Sequence, residues 1–385
     1  MSSNEAGGHP HASGFDEAGG HPHASGFDEA GGHPHASGFS EACIDLVQRL
    51  SDLPGVGGDE GAVRDAIWAH IADHVEAARV DALGSLIARR GRGGPRVLID
   101  AHMDEVGLLV RHIEKDGWLR FVNVGGIDPR VLPGAVVRVG AAAVPGVIGW
   151  RPIHLQSEDD RKRVIPIKDL AIDIGATSRE QAERAVHPGD YAVFATRAAF
   201  FGDGLLRGKA LDDRVGCAIL AETLAAAGDY GIEVHGVFAV QEEVGLRGAG
   251  PAAYAVAPDL AVALEGTTCA DLPGVEDHEQ GTRLGAGPVL RIMDNGMIHD
   301  RRLNAVLAAT AEAAGIPYQW KGTTAGGTDA GRIHTVRGGI PSATLSVPCR
   351  YIHSPCAVAS RTDIGHALAL LQGFLRTLAT RGLPA

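Results

Sequence analysis

The sequence lacks the features that mark several large classes of protein. Its five cysteines are scattered and form no Cys-x-x-Cys pair, which argues against a disulfide framework and favours reduced thiols. No run of about 18 apolar residues occurs, so no membrane-spanning helix is expected. The N-terminus also lacks the basic and apolar segments of a signal peptide. We therefore expect a soluble, cytoplasmic protein that has no membrane partner.

Basic and aromatic residues are also few. The chain has 35 Lys and Arg against 47 Asp and Glu, which gives a net charge of −12. A nucleic-acid-binding protein needs a basic face or stripe, so we do not expect a nucleic-acid partner. Aromatic residues make up only 5% of the chain, which argues against an aromatic-lined sugar cleft. The length of 385 residues allows about two or three globular domains.

Residues 5–40 consist of three copies of a twelve-residue unit that is rich in Gly and His. Each copy has one Phe and no aliphatic side chain larger than Ala, so burial cannot offset the entropy lost on ordering the backbone. We predict that residues 1–40 are disordered. The repeat histidines could chelate transition metals loosely, but we do not count them as active-site ligands.

An α/β pattern begins near residue 41 and resumes after an interruption. Helical spacing over Cys43–Leu50 and the apolar run Val97–Asp100 are typical of alternating helices and strands. Between residues 106 and 196, short β-like runs are separated by Gly and Pro turns. The pattern predicts an α/β catalytic domain formed by residues 41–105 and 197–385, with a small β-rich domain inserted at 106–196.

Residues with metal-binding side chains recur where predicted strands end or a predicted helix begins. They are His102, Asp212, Glu242, Glu243, Glu265 and His353. In open α/β sheets, ligands bind beyond the carboxyl ends of the strands, so these residues can converge although they are far apart in sequence. Each has an ordinary explanation when taken alone, such as a helix N-cap for Asp212. Together, the carboxylates would repel one another unless cations lie among them.

The residue types predict two divalent ions. Asp212 is the candidate for a carboxylate shared between them. His102 with Glu265 would complete the first site, and Glu243 with His353 would complete the second. These nitrogen and oxygen ligands suit Zn²⁺ or Co²⁺, and the residue types do not choose between the two metals.

Two further acidic residues have predicted roles beside the metals. Neighbouring side chains on an extended backbone diverge, so Glu242 would point away from Glu243 and remain uncoordinated. It would then take a proton from a water that bridges the metals and pass it to a leaving amine. Asp104 follows His102 by two residues and would fix the tautomer of that imidazole.

At these residues the chain resembles the M42 family of metallo-aminopeptidases, which includes the tetrahedral (TET) aminopeptidases. The resemblance covers about residues 41–385 and rests on the segments Ala101–Glu105, Lys209–Arg214, Gln241–Gly245, Leu264–Thr268, Gly326–Ala330 and Arg350–Pro355. The family pattern assigns the five ligands, the base Glu242 and the supporting Asp104 in the same way. Many family members have Asp where this chain has Glu265, and the repeats of residues 5–40 lie outside the pattern.

The resemblance implies a mixed-sheet, zinc-exopeptidase-like catalytic domain and a barrel-like inserted domain that mediates dimerisation. It also implies that the dimers assemble into a hollow tetrahedral homododecamer, which admits only peptides. We therefore expect an aminopeptidase that removes N-terminal residues from short peptides and holds two Zn²⁺ or Co²⁺ ions per subunit.

Two other functions remain open from the sequence. The first is a related two-metal hydrolase that acts on N-acyl amino acids. The second is a non-catalytic, metal-dependent assembly module. Motifs for other catalytic classes are missing, because no Gly-x-Ser-x-Gly elbow occurs and Gly208-Lys209 is followed by Ala210, which breaks a phosphate-loop pattern.

Overall fold

The structure, a computed structural model, describes residues 41–384. The predicted disorder of residues 1–40 falls outside this range. Nine α-helices occur in the described part of the chain: α1 (Glu41–Asp52), α2 (Gly61–Ile71), α3 (Glu158–Lys162), α4 (Arg179–Ala182), α5 (Leu211–Ala225), α6 (Ala249–Val256), α7 (Arg301–Ala314), α8 (Asp329–Ile333) and α9 (Arg361–Arg381). None of these helices is long and apolar enough to span a membrane.

The strands fall into three consecutive groups along the chain. The first group is β1 (Ala77–Val80), β2 (Leu86–Arg90) and β3 (Arg96–His102). The second is β4 (Gly107–Ile113), β5 (Leu119–Val124), β6 (Val136–Val139), β7 (Val144–Gly149), β8 (Ala171–Asp173) and β9 (Tyr191–Phe194). The third is β10 (Ala199–Phe201), β11 (Leu205–Gly208), β12 (Glu233–Ala239), β13 (Leu260–Cys269), β14 (Val289–Arg291), β15 (Gln319–Lys321), β16 (Ser342–Arg350) and β17 (Ala357–Ser360).

The first and third groups form one mixed sheet of eleven strands, in the order β1-β2-β12-β3-β13-β16-β17-β11-β10, with β14 and β15 attached beside β16. Its central strands β12, β3, β13 and β16 are parallel, and its edges are antiparallel. Helices cover both faces, so the central strands are buried on both sides. On β3, for example, Val97 and Ile99 pack into one hydrophobic cluster and Leu98 packs into another.

The second group of strands closes into a separate barrel, in the order β4-β5-β8-β7-β6-β9. Its interior is filled by its own apolar cluster, which includes Leu108, Phe121, Val137 and Ile148. The mixed sheet and the closed barrel confirm the fold class predicted from the sequence.

Two details of the sheet differ from the sequence pattern. Strand β13 continues to Cys269, so Glu265 lies inside the strand and does not end it. The short strands β10, β11, β15 and β17 were not predicted, because three or four residues are too few to show a period.

Candidate active site

The parallel centre of the sheet brings four chain segments to one edge. Strand β3 ends at His102, which is the register partner of Ala239 at the end of β12. Glu242 and Glu243 follow three and four residues after that alanine. Glu265 lies on β13, which pairs in parallel with β3 and with β16. His353 comes just after β16, so the four strands deliver their polar residues to one place.

Asp212 reaches the same place from the start of α5. Its Oδ1 lies 3.5 Å from His102 Nε2, and its Oδ2 lies 3.6 Å from His353 Nε2. Strand β13 lets the aspartate approach by having a glycine at position 266. A Cβ on Gly266 would lie 2.8 Å from the Asp212 Cα, which is closer than real Cβ contacts. The two oxygens of one carboxylate therefore face two different imidazoles.

Asp104 positions the pair of glutamates. Gln241 has a positive φ of 59°, so the chain turns sharply after β12. The backbone N–H groups of Glu242 and Glu243 then donate to Asp104 Oδ1 and Oδ2, at 2.9 and 3.1 Å. Glu243 Oε1 lies 3.2 Å from His353 Nε2, while Glu242 Oε2 lies 4.0 Å from the Nε2 of His102.

Backbone carbonyl groups fix the orientation of both imidazoles. His102 Nδ1 lies 3.1 Å from the Asp104 carbonyl oxygen and 3.5 Å from the Oδ1 of the same residue. His353 Nδ1 lies 2.9 Å from the carbonyl oxygen of Gly126. A ring that donates from Nδ1 keeps a lone pair on Nε2, and in both residues Nε2 faces the carboxylates.

These side chains fit metal ions by their spacing and chemistry. Three overlapping groups have ligand atoms within 4.8 Å of one another, namely His102, Asp212 and Glu265; His102, Glu242 and Glu243; and Asp212, Glu243 and His353. The buried Asp212 Oδ1 has no hydrogen-bond partner. Within residues 41–384, the four carboxylates of these groups form ion pairs only with the two histidines. Such a cluster is suited to cations that balance its negative charge.

Burial and neighbouring charges shift the pKa values of the acidic side chains in the cluster. Burial raises the pKa of Glu242 and Glu265 well above the ordinary value, and the carboxylates of Asp212 and Asp329 add to both shifts. Burial also raises the pKa of Asp212, but its contacts with His102 and His353 outweigh burial and hold that pKa below the usual value. Glu242 and Glu265 therefore resist ionisation unless positive charge is close to them, as it is for Asp212.

The sequence analysis assigned no role to two groups that contact the predicted ligands. One is the Gly126 carbonyl, which comes from the barrel loop after β5 and to which no sequence signal pointed. The other is Asp329, whose backbone N–H donates to Glu265 Oε1 at 3.3 Å and whose side chain is fully buried. Asp329 lies in Gly326–Ala330, one of the segments that resemble the M42 family, and this resemblance is the sequence feature that could have pointed to it.

A mixed sheet, a separate closed barrel and a cluster of imidazoles and carboxylates that could hold metal ions together describe a metal-dependent peptidase. A sequence model of the family described as M42 glutamyl aminopeptidase matches residues 84–370. The chain belongs to this family of aminopeptidases, as its motifs predicted. Membership excludes the non-catalytic assembly module, because the family is one of metal-dependent enzymes.

Known proteins similar to the chain agree with this assignment. A putative aminopeptidase of Acetivibrio thermocellus is 38% identical over 85% of this chain and 96% of its own length. The lysyl aminopeptidase of Pyrococcus furiosus is 33% identical over 87% of this chain and 97% of its own length. The structure of the Pyrococcus horikoshii TET1 peptidase, which can assemble into a tetrahedron or a large octahedral shell, has a TM-score of 0.78, with 38% identity over 86% of this chain and 98% of that chain.

Proposed function

We propose that the protein is a two-metal aminopeptidase that removes N-terminal residues from short peptides. The observation that carries the two-metal part is the placement of Asp212, whose oxygens face His102 and His353 separately. A carboxylate in that position could serve as a ligand to two divalent ions, one on the side of each histidine.

The remaining ligands divide between the two sides of Asp212. His102 and Glu265 would hold one ion, since His102 Nε2 lies 3.7 Å from Glu265 Oε2. Glu243 and His353 would hold the other, across the 3.2 Å contact between them. We propose Zn²⁺ or Co²⁺, with availability in the cell deciding between them.

Bound cations would lower the pKa of a water molecule and polarise the scissile carbonyl group. The chain's own residues then manage the protons and the geometry. Glu242 would accept a proton from the water and give it to the leaving amine. Asp104 would hold Glu242 and Glu243 in place through their backbone N–H groups, so its role is one of positioning.

We also propose that residues 41–105 and 197–385 act as the catalytic domain and that residues 106–196 act as a dimerisation domain. The outer surface of the barrel supports this, because Val136 and Val147 are register partners and are 52% and 45% exposed. Exposed apolar patches of this kind favour contact with another chain. By analogy with the P. horikoshii relative, dimers would assemble into a tetrahedral homododecamer. The free cysteines favour a reducing cytoplasmic compartment.

Replacing Glu242 with Gln tests the catalytic assignment. The variant keeps the size of the side chain but cannot accept a proton, so kcat on aminoacyl-anilides should fall about 10²–10⁴-fold. Metal content, measured by mass spectrometry on the purified protein, should stay the same. The exposed Glu158→Gln change is the matched control and should leave both quantities unaltered.

Three outcomes would contradict the proposal. Retained turnover in the variant would exclude Glu242 as the proton acceptor. A metal content well below two ions per subunit in an active enzyme would exclude the two-metal site. Hydrolysis of N-acetyl amino acids without hydrolysis of aminoacyl-anilides would instead indicate a deacylase.

A further inference from the structure

A cavity of about 360 Å³ lies between the loop that follows α1 and the outer face of the barrel. Asp59 lines it from the loop, and Arg138 on β6 and Tyr191 on β9 line it from the barrel. Val139 and Ala192, the next residues along these strands, pack into the barrel interior, so Arg138 and Tyr191 point outward. Small ligands commonly bind in clefts of this size, where two structural units meet.

A wall of side chains separates this cavity from the proposed metal site. Phe194 is 2% exposed and lines both this cavity and a smaller one that is also lined by Asp212 and His353. Lys209 lines the first cavity and donates at 2.7 Å to Glu105, which lines the second. The proposed metal ligands do not line the first cavity, so a compound bound there would not contact the metals.

Three polar side chains in the cavity have unused hydrogen-bonding groups. Within residues 41–384, the Arg138 guanidinium, the Tyr191 hydroxyl and the Asp59 carboxylate form no hydrogen bond or ion pair. The other two acids that line the cavity are already engaged. Asp52 accepts from two groups at 2.8 and 3.1 Å, and Asp190 accepts from a backbone N–H at 2.8 Å. One cation, one anion and one hydroxyl therefore remain for a ligand.

The unused cation and anion lie apart in the cavity. Arg138 and Val193 are register partners, so Tyr191 is a diagonal neighbour of Arg138, and such neighbours lie roughly 7–8 Å apart. Burial raises the pKa of Tyr191 and the Asp59 carboxylate adds to this shift, so Asp59 lies at the Tyr191 end. A Cβ on Gly58 would also lie 3.0 Å from the Tyr191 hydroxyl. An extended dipeptide spans about 7 Å, which suits this separation better than a single amino acid does.

We propose that this cavity binds a dipeptide whose two termini are charged, at a site separate from the metals. The dipeptide carboxylate would accept hydrogen bonds from Arg138, and its ammonium group would donate to Asp59 and Tyr191. Pro54 and Val56 give the cavity apolar walls beside these groups. The proposal rests on the aminopeptidase function proposed above only for the source of the ligand, since such an enzyme takes in and releases short peptides.

The competing explanation is that water alone satisfies the three groups. Asp59 is exposed and Arg138 is half-buried, so both side chains can be solvated without a ligand. In that case the protein would not distinguish peptides that differ only in the charge of their termini. A dipeptide site instead predicts that binding weakens when either terminal charge is removed.

Calorimetric titration of the full-length, Zn²⁺-loaded protein tests this. The probes are D-Ala-D-Ala, chosen to resist hydrolysis, its C-terminal amide and its N-acetyl derivative. We expect each neutralised analogue to bind wild type at least about tenfold more weakly. Arg138→Met should abolish the difference between the dipeptide and its amide, and Asp59→Asn should abolish the difference between the dipeptide and its N-acetyl derivative. Arg111→Met, which changes an exposed arginine of β4, is the matched control and should preserve both differences. Equal binding of the three probes to wild type would overturn the proposal, as would wild-type behaviour of both cavity variants.

A second measurement uses only the wild-type enzyme and locates the bound dipeptide. A ligand in the cavity leaves the metal site open, so D-Ala-D-Ala at saturating concentration should not raise the KM for leucine p-nitroanilide. Competitive inhibition with an inhibition constant equal to the measured Kd would place the dipeptide at the metals and overturn the proposal. Failure of the metal-loaded enzyme on every anilide would instead overturn the proposed function, and the binding comparison of wild type with Arg138→Met would still decide the cavity.

Discussion

The carboxylate of Glu105 offers the sharpest test of how the site is supported. Glu105 Oε1 accepts from Lys209 Nζ at 2.7 Å, from Gly55 N at 3.1 Å and from Arg214 Nη2 at 3.4 Å. The side chains of Glu105, Lys209 and Arg214 are only 2%, 3% and 0% exposed, respectively. One buried anion thus balances two buried cations, which flank the segment that carries Asp212.

Replacing Glu105 with Gln keeps the shape of the side chain and removes its charge. Lys209 still donates to the Leu53 carbonyl oxygen, so its ammonium group is not left without any acceptor. Breaking a buried ion pair by removing one partner costs about 3–5 kcal/mol, because the other charge stays buried. We expect the free energy of unfolding of Glu105→Gln to fall by about that amount.

The size of the loss should depend on pH. Burial lowers the pKa of Lys209 to about 8, and Glu105 partly opposes that shift. Because the folded pKa lies below the unfolded value, Lys209 makes stability fall as the pH drops from the unfolded pKa to the folded pKa, and no further below it. Without Glu105 the pKa of Lys209 falls further. The difference in stability between wild type and variant should therefore widen below pH about 8 and narrow above it.

Urea denaturation at a fixed protein concentration measures the effect, with Glu158→Gln as the control. Glu158 pairs with Lys162 on the surface, so its loss should leave the denaturation midpoint unchanged within error. The double variant Glu105→Gln, Lys209→Met should be less destabilised than the sum of its single changes. A midpoint for Glu105→Gln that matches the control would refute the reasoning that this carboxylate balances two buried cations.

Two further predictions concern the geometry of the site. Asp104→Asn replaces one acceptor of the Glu242 and Glu243 N–H groups with a donor, and we expect kcat on aminoacyl-anilides to fall about 10–100-fold; an unchanged kcat would exclude the positioning role. Gly266→Ala would place a Cβ 2.8 Å from the Asp212 Cα, so metal content and activity should both fall, whereas Gly338→Ala, which meets nothing within 4 Å, should preserve both. Full metal content in Gly266→Ala would show that Asp212 does not need this close approach.

Local patterns were sufficient to predict the class of fold and the polar residues that follow β3 and β12, but not the end of β13. Apolar runs mark β3 and β12 because both faces of these strands are buried, and the residues that follow them are polar because the sheet edge is open. The change from helical spacing to short Gly-bounded runs likewise indicated a small β-rich insertion, which is the barrel in the structure. Short strands such as β10 and β15 could not be predicted in this way, because their formation depends on pairing with distant strands and not on a local sequence pattern.

The contacts that organise the candidate site could not be read from the sequence in the same way. The pattern placed Asp104 near His102, but it did not reveal that the Asp104 carboxylate accepts from two backbone N–H groups after β12. That contact depends on the parallel register of β3 and β12, which joins residues 138 and 139 positions apart. Nor could spacing reveal that Asp59, Arg138 and Tyr191 line one cavity.

Within residues 41–384, the barrel side of the chain supplies one hydrogen-bond contact to the two histidines, and it comes from a backbone carbonyl group. The Gly126 carbonyl oxygen lies 2.9 Å from His353 Nδ1, and this contact selects the tautomer whose Nε2 faces Asp212 and Glu243. The other five predicted site residues that face the cluster are held by the sheet and by α5. Because β5 ends two residues before Gly126, the position of the barrel sets the position of this carbonyl. Any assembly contact that fixes the barrel would therefore also fix the orientation of His353.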